Sequence, residues 1–127
     1  MDKKVTVLIA PLDWGLGHST RCLPIVKAFM QLECNVLLAC NSKQKEIFAD
    51  ECPGIAIIPL DGYNLSYGKS RIGTILSIVG QLPKILTKIK QEKTWLDTMV
   101  ETLNPDIIIS DNRFGFWHAR VRSIFIT

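Results

Sequence analysis

A short segment near the N terminus carries residues whose types and spacing suit acid-base chemistry. It reads DWGLGHSTR over residues 13–21 and lies between an apolar run and a segment with helical spacing. An imidazole such as that of His18 can take a proton from a substrate hydroxyl near neutral pH, where the hydroxyl alone is a poor nucleophile. We therefore predict that His18 acts as a general base.

A second polar segment, SDNRFG at residues 110–115, follows an apolar run late in the chain. In catalytic triads, a carboxylate that accepts from one ring nitrogen of a histidine fixes the tautomer and stabilises the imidazolium that forms. Asp111 is the carboxylate of this segment, and we predict that it orients His18 in the same way. The alternative is a histidine that caps a helix at the surface, with Asp111 bonded to backbone amides. The other histidine, His118, is predicted to be a surface residue.

The glycines of residues 13–21 raise the question of a nucleotide cofactor. GLGHST lacks the third glycine of the dinucleotide fingerprint, and ACNSK, after the second apolar run, lacks its acidic residue. NAD or FAD binding is therefore disfavoured, and no cofactor is predicted. Backbone amides at a helix N terminus favour anionic ligands, although a turn without a ligand is the alternative. The residues predicted to bind a phosphate or an acceptor are Gly15, Leu16, Gly17, Ser19, Thr20, Asn112 and Arg113.

Five apolar runs alternate with segments of helical character, which is the pattern of βαβ units. The predicted strands read VTVLIAPL, NVLLAC, IAIIPL, PDIIISD and SIFIT. The last two are continuous apolar runs, so we expect both to be covered on two faces. The chain is therefore predicted to be α/β, a Rossmann-like doubly wound parallel sheet with strand order 3-2-1-4-5. Ligands bind such sheets beyond the carboxyl ends of strands 1 and 4, which makes His18 and Asp111 predicted neighbours.

Three predicted helical segments connect the strands. The first begins at about Ser19 or Thr20 and ends at Leu32, and Ser42 caps the second. The third covers about residues 71–103 and contains a proline at position 83, which must kink or break it.

Length and composition indicate one globular domain over residues 1–127. Hydrophobic residues make up 47% of the sequence and charged residues 21%, which is typical of a protein with a folded core. The apolar opening VTVLIAPL is too short for a transmembrane helix. The four cysteines have no CxxC spacing, so neither a zinc site nor a redox pair is indicated, and buried free thiols in a reducing cytoplasm are predicted.

Basic charge is concentrated in residues 63–96, which carry six Lys or Arg residues and one acidic residue. Their neighbours are Ile and Leu rather than aromatic residues, which favours an anionic lipid or phosphate surface over nucleic acid. We predict that Lys84, Lys88 and Lys90 face an anionic membrane. The alternative is that the apolar residues of this stretch pack under the sheet or against a domain that is absent from this chain.

Two segments, APLDWGLGHSTRCLPIVKAF and PDIIISDNRFG, resemble the N-terminal half of GT-B glycosyltransferases. The resemblance is to the group that includes the lipid II-forming peptidoglycan N-acetylglucosaminyltransferase and the UDP-glycosyltransferases, and it spans the whole chain. Its most specific points are the glycine turn that ends in His18 and the aspartate after the fourth strand, Asp111. In many inverting members of this group, a histidine and an aspartate at these positions are the base and its orienting group. The resemblance implies that residues 1–127 are the acceptor-binding domain and that the donor-binding domain is absent from this chain.

The implied reaction is an inverting, metal-independent transfer of a sugar from a UDP-sugar to the hydroxyl of a glycan or lipid-linked acceptor. No D-x-D motif is present, so no metal ligands are predicted. The absent domain would hold most of the donor, and this chain alone is expected to be inactive. The implied location is the cytoplasm, at the inner face of the membrane for a lipid-linked acceptor. The alternatives are a sugar-nucleotide 2-epimerase of the same fold and a non-catalytic lipid-acceptor-binding module that partners a separate chain.

Overall fold

The computed structural model describes residues 4–12, 16–60 and 71–127 of the chain. The strands in this part of the chain are β1 (Thr6–Pro11), β2 (Asn35–Cys40), β3 (Ala56–Pro59), β4 (Ile107–Asp111) and β5 (Arg122–Ile126). They form one parallel sheet in the order β3-β2-β1-β4-β5, which confirms the predicted α/β doubly wound architecture. Gly15, predicted to bind a phosphate, and residues 63–70 of the basic stretch lie outside the described residues.

Helices lie between the strands and cover the sheet. In the described ranges they are α1 (Leu16–Gln31), α2 (Ser42–Glu51), α3 (Arg71–Gly80) and α4 (Leu82–Leu103). The predicted break at Pro83 is confirmed, because α3 ends before it and Pro83 is the second residue of α4. A proline is tolerated in a first turn, where its missing N–H would have no partner within the helix.

Two predicted helix starts are wrong. Helix α1 begins at Leu16 rather than at Ser19 or Thr20, because the Ser19 hydroxyl does not cap it but is buried inside the protein. Ser42 is the first residue of α2 rather than its cap. The cap is Asn41, whose side chain accepts from the backbone N of Gln44 at 2.9 Å, while the Gln44 side chain accepts from the backbone N of Asn41 at 3.2 Å. This reciprocal pair is a capping box, which satisfies two otherwise unpaired N–H groups.

The apolar core lies on both faces of the sheet, as expected for parallel strands covered by helices. One cluster, on the face of α1 and α2, includes Val7, Ile9, Cys22, Val26 and Phe48. The other, on the face of α4, includes Leu8, Ala10, Leu96, Val100 and Phe116. All residues of β1 are buried, so the carboxyl end of this central strand is held in place from both sides.

Strand β5 differs from the prediction that it is covered on two faces. Ile124 is 43% exposed and Phe125 is 47% exposed, whereas most of β4 is buried. In the described sheet β5 is an edge strand that pairs with β4. An edge strand has a neighbouring strand on one side only, so its apolar run does not by itself guarantee burial.

The cysteines agree with the prediction of free thiols. All four cysteines are free thiols; Cys22, Cys40 and Cys52 are buried, and Cys34 is partly buried. None of the described helices is long and apolar enough to cross a membrane.

Candidate active site

The carboxyl ends of β1 and β4 lie side by side, because Pro11 pairs with Asp111 in the parallel register. The first turn of α1, which follows β1, carries His18, and β4 ends at Asp111. Nδ1 of His18 consequently lies 3.1 Å from Oδ2 of Asp111. The predicted contact is present, and the catalytic role of the pair stays a prediction.

The two side chains of this pair differ in their exposure. The side chain of Asp111 is fully buried, whereas that of His18 is 21% exposed. An ionised carboxylate only accepts hydrogen bonds, so Nδ1 of a neutral His18 must carry the ring proton in order to bond to it. The free lone pair then belongs to Nε2, which is the arrangement required of a base.

Arg21 also contacts Asp111, a contact that was not predicted from the sequence. Its Nη2 atom donates to Oδ1 of Asp111 and lies 3.3 Å from Nδ1 of His18. Its Nη1 atom donates to the backbone oxygen of Thr127 at 3.4 Å. Arg21 follows His18 by three residues, and side chains at this spacing share one face of a helix. This spacing could have predicted that Arg21 lies beside His18. It did not, because the helix was predicted to begin at Ser19 or Thr20, after His18.

The thiol of Cys22 is a further partner of Asp111. Its Sγ atom lies 3.5 Å from Oδ2 of that carboxylate. Burial, and to a smaller extent the charge of Asp111, raises the pKa of Cys22 to about 12. The thiol therefore keeps its proton at neutral pH, donates a weak hydrogen bond and is not a nucleophile.

Gln44 of α2 holds the segment between β1 and α1. Its Nε2 atom lies within hydrogen-bonding distance of the backbone oxygens of Pro11 and Leu12, at 3.4 and 3.0 Å, and of Oγ of Ser19 at 3.2 Å. Ser19 has no exposed surface. The prediction that Ser19 binds a phosphate or an acceptor is therefore corrected: its hydroxyl bonds to Gln44 inside the protein.

Arg113 is likewise corrected from a predicted ligand-binding residue to a buried structural one. Its side chain has no exposed surface, and its Nη1 atom lies 3.8 Å from Oε2 of Glu92, which belongs to α4. Its Nε atom donates to the backbone oxygen of Pro11 at 2.9 Å. Arg113 thus ties the loop after β4 to both β1 and α4, since a buried cation requires a counter-charge and acceptors.

The loop that follows Asp111 packs closely against α4. A Cβ atom on Gly115 would overlap the backbone oxygen of Ile89 and would lie 3.1 Å from the backbone N of Lys93. At the start of the loop, Asn112 adopts a left-handed backbone conformation with φ of 57°, and its N–H donates to the backbone oxygen of Ile126 at 3.0 Å. These contacts fix the direction in which β4 delivers the Asp111 side chain.

The remaining predicted ligand-binding residues lie on the first turns of α1 or next to Asp111. Leu16 is the first residue of α1, and Gly17 and Thr20 are exposed. Among the described atoms, none lies within 4 Å of a Cβ placed on Gly17, so the surface beside His18 is open. This open surface leaves room for a ligand, and the binding roles of Leu16, Gly17, Thr20 and Asn112 stay predictions.

Helices α3 and α4 expose apolar side chains next to lysines. Lys84 and Lys90 are exposed and Lys88 is partly buried. We use the name α3–α4 surface for these three lysines together with the exposed residues Ile72, Ile75, Leu76, Val79, Leu82 and Leu86. These six apolar residues do not pack under the sheet in the part of the chain that the structure describes, and their packing against a second domain stays an alternative.

His118 is not the surface residue that was predicted, because its side chain is only 10% exposed. Its Nδ1 atom accepts from the backbone N of Arg120 at 3.1 Å, and its Nε2 atom lies 3.8 Å from Oδ1 of Asp97. These contacts hold the ring against the protein. In the described ranges, no three or more His, Cys, Asp or Glu side chains form a group that could hold a metal ion.

No protein-family model matches the chain, and a comparison with curated proteins gives no match. Solved structures are nevertheless similar in fold. The glycosyltransferase of kitacinnamycin has a TM-score of 0.68 at 14% identity, over 98% of this chain and 30% of that chain. Glycyrrhiza uralensis UGT73P12, complexed with glycyrrhetinic acid 3-O-monoglucuronide, has a TM-score of 0.54 at 14% identity, over 86% of this chain and 24% of that chain. The glycosyltransferase VinC, in complex with dTDP, has a TM-score of 0.51 at 17% identity, over 84% of this chain and 29% of that chain.

These solved structures are glycosyltransferases, and each is much longer than this chain. The part of each structure that the chain matches amounts to 30%, 24% and 29% of its length. At identities of 14–17%, the TM-scores of 0.51–0.68 show a shared fold and nothing further. The described part of the chain therefore has the fold of the matching part of these GT-B glycosyltransferases.

Proposed function

We propose that this chain forms the acceptor-binding half of an inverting GT-B glycosyltransferase, which moves a sugar from a nucleotide-sugar donor to a hydroxyl group. The observation that most supports the proposal is the 3.1 Å contact between Nδ1 of His18 and Oδ2 of Asp111. The pair lies at the carboxyl ends of β1 and β4, where open α/β sheets bind their ligands. A partly exposed imidazole beside a buried carboxylate is an arrangement suited to general base catalysis.

In the proposed reaction, Nε2 of His18 takes the proton of the acceptor hydroxyl as its oxygen attacks the anomeric carbon of the donor sugar. A new glycosidic C–O bond forms on the face opposite the leaving group. The bond from the anomeric carbon to the nucleoside diphosphate breaks, and its electron pair leaves with the diphosphate. This displacement inverts the configuration at the anomeric carbon. Asp111 accepts from Nδ1–H throughout and stabilises the imidazolium that forms.

The acceptor is proposed to lie over the first turns of α1. Gly17 and Thr20 are exposed there, and the open space at Gly17 adjoins His18. The free backbone amides at the start of a helix favour negative charge, so Leu16 and Gly17 are suited to a phosphate or diphosphate group of an acceptor. Asn112 directly follows Asp111, the last residue of β4.

The donor is proposed to be a UDP-sugar held mainly by a second domain outside this chain. The structure of VinC contains dTDP, which supports a nucleotide-bearing donor as the class of substrate. Half of a cleft orients only one of two reactants, so we expect this chain alone to transfer nothing. Calorimetry should show weak or no binding of UDP to residues 1–127. Tight binding would contradict the proposal that a second domain holds most of the donor.

The acceptor is proposed to be lipid-linked, with the protein located in the cytoplasm against the inner face of the membrane. The α3–α4 surface combines six exposed apolar side chains with Lys84, Lys88 and Lys90. Apolar side chains and lysines on one helical surface suit the interface of an anionic membrane. Each basic residue near such a surface adds about 1 kcal/mol of attraction, so the attachment would be reversible and sensitive to salt.

Product analysis with the complete enzyme tests the proposed reaction. The enzyme is first identified by a reading frame that continues for about another domain length beyond the codon for Thr127. Incubation with UDP-sugars and hydroxyl acceptors should give a glycoside whose anomeric configuration, measured by NMR, is opposite to that of the donor. Retained configuration would contradict the inverting mechanism. An isomerised sugar nucleotide would indicate a 2-epimerase, and a stop codon directly after Thr127 would favour the binding module.

A further inference from the structure

We propose that Arg21 is a positioning residue of the candidate site: its guanidinium balances the charge of Asp111, so that His18 stays neutral and able to take a proton. The inference rests on the proposed function for its catalytic meaning. The arrangement of His18, Asp111 and Arg21, in which Arg21 is the cation, is inferred from the contacts between them and does not depend on the proposed function.

The two oxygens of Asp111 have separate partners. Oδ1 accepts from Nη2 of Arg21, while Oδ2 lies 3.1 Å from Nδ1 of His18 and 3.5 Å from Sγ of Cys22. A carboxylate held on both oxygens cannot rotate without losing a partner. Arg21 therefore fixes the orientation in which Oδ2 points at the imidazole.

The burial of Asp111 makes its counter-charge necessary. Its side chain has no exposed surface, whereas the side chain of Arg21 is 41% exposed and reaches inward from α1. A buried carboxylate without a cation is costly, and the usual remedy is to pair it or to neutralise it with a proton. Arg21 provides the pairing without using the proton-accepting group of the site.

The groups that face His18 support this division of roles. Among the described residues they are Asp111, from β4, and Arg21 and Cys22, from α1. Burial keeps Cys22 a neutral thiol, because its pKa is raised to about 12. Arg21 is therefore the cation that this cluster contains. Without it, His18 is the group left to supply a positive charge beside Asp111, and an imidazolium that is already formed cannot act as a base.

NMR of the ring nitrogens of His18 tests the charge balance in the chain itself, without any enzyme assay. The chain is labelled with ¹⁵N, and the ratio of protonated to neutral His18 is compared at one fixed pH near neutrality. The ratio should rise by about tenfold in R21Q, which keeps a polar side chain but loses the charge next to the imidazole. It should change far less in R21K, because a lysine retains the charge although it lacks the two-pronged geometry of arginine.

The matched control is K27A, which removes a basic side chain from the same helix. Lys27 pairs with Glu51 at 3.2 Å on the exposed surface, away from Asp111. Its removal should leave the protonated fraction of His18 unchanged. A circular dichroism spectrum for each variant verifies folding, and R21A, which also removes the charge, replaces R21Q if R21Q does not fold. A ratio in the charge-removing variant equal to that of the wild-type chain would overturn the proposal.

Activity of the complete enzyme then separates this inference from the proposed function. In R21Q, kcat should fall by about tenfold in acidic solution, where most of His18 is protonated, and should approach the wild-type value as the pH is raised, since a more alkaline solution restores the neutral imidazole. KM for the acceptor should change little. A purely structural role would lower activity at every pH and would overturn the inference. An increased protonated fraction in R21Q, combined with no sugar transfer by the wild-type enzyme, would support the role of Arg21 and reject the proposed function.

Discussion

Nδ1 of His18 lies 3.1 Å from Oδ2 of Asp111, although the two residues are 93 positions apart in the sequence. The parallel pairing of β1 with β4 creates this contact, because it brings the carboxyl ends of both strands to the same edge of the sheet. The pair combines an accessible ring with a buried acceptor, which is why it is the centre of the proposed site.

Replacement of His18 should abolish most of the activity of the complete enzyme while the protein stays folded. In His18→Ala we expect kcat to fall by about 10²- to 10⁴-fold, the usual contribution of a general base. Asp111→Asn should lower kcat by a smaller factor than His18→Ala if water still solvates the imidazole. The measurement is kcat with saturating donor, with Lys27→Ala as the control on the same helix. Activity of His18→Ala within a few fold of wild type would contradict the proposed base.

The buried ion pair between Arg113 and Glu92 should be far more important for stability than an exposed pair. Arg113→Met removes the buried cation that lies 3.8 Å from Glu92 and bonds to the backbone oxygen of Pro11, and the loss of one partner of a buried pair typically costs about 3–5 kcal/mol. Denaturant unfolding measures this loss. The control is Arg120→Met, which breaks the pair with Glu101 at 2.8 Å, where both side chains are at least 70% exposed. Exposed pairs contribute about 0–1 kcal/mol, so similar losses in the two variants would be the contrary result.

The close approach of Gly115 to α4 gives a second stability prediction. A Cβ at this position overlaps the backbone oxygen of Ile89, which has no flexible end that could move aside. Gly115→Ala should therefore destabilise the fold by about 1–3 kcal/mol, the usual cost of overpacking. Gly80→Ala is the matched control, because among described atoms none lies within 4 Å of a Cβ added at Gly80. This substitution should not destabilise the fold, since alanine is favoured over glycine in a helix by up to ~1 kcal/mol. Equal effects of the two substitutions on the unfolding midpoint would refute the steric argument.

The buried thiols of Cys22 and Cys40 should make the folded protein less stable in alkaline solution. Burial raises the pKa of Cys22 from 9.0 to about 12 and that of Cys40 from 9.0 to about 11. Above pH 9 the unfolded chain releases these protons while the folded chain keeps them, so ionisation favours unfolding. The stabilisation is complete below about pH 9 and is lost as the pH rises toward 11 and 12, at up to about 1.4 kcal/mol per pH unit for each thiol.

The free energy of unfolding, measured with denaturant between pH 8 and pH 11, tests this dependence. Lysine and tyrosine side chains also titrate in this range, so the informative quantity is the difference in slope between Cys22→Ala and wild type. The slope should be shallower in the variant, whatever its absolute stability. Identical slopes would show that the Cys22 thiol does not resist ionisation in the folded protein.

The α3–α4 surface predicts binding to anionic vesicles. Flotation should recover the protein with vesicles that contain anionic lipid, and recovery should fade as salt rises, because the lysines contribute through screened electrostatic attraction. Replacement of Lys84, Lys88 and Lys90 by glutamate should abolish recovery at physiological salt.

A control for total charge uses lysines of other helices. Glutamate at Lys27, Lys43 and Lys45, which are exposed on α1 and α2, makes the same change in net charge at another surface. This variant should still float with anionic vesicles. Equal losses in the two triple variants would indicate a nonspecific charge effect, and no recovery of wild type with either lipid would favour a soluble acceptor.

The sequence alone was sufficient to predict the sheet and the position of its functional edge. Local patterns in the sequence indicate the buried strands, through their continuous apolar runs, and the helix break at Pro83. The order of strands in open α/β sheets then follows general rules of chain topology. The order β3-β2-β1-β4-β5 and the contact between His18 and Asp111 were therefore predictable without knowledge of any side-chain packing.

Tertiary structure decided which polar side chains reach the site and which support it. Ser19 and Arg113 have the right types and lie next to the right residues, yet both are buried and bond to partners from α2 and α4. Arg21 had no obvious role in the sequence, yet it pairs with Asp111 across 90 positions. A local pattern specifies the element in which a residue lies. The direction of its side chain depends on which distant elements pack against it, and the burial of Asp111 is what selects Arg21 as its counter-charge.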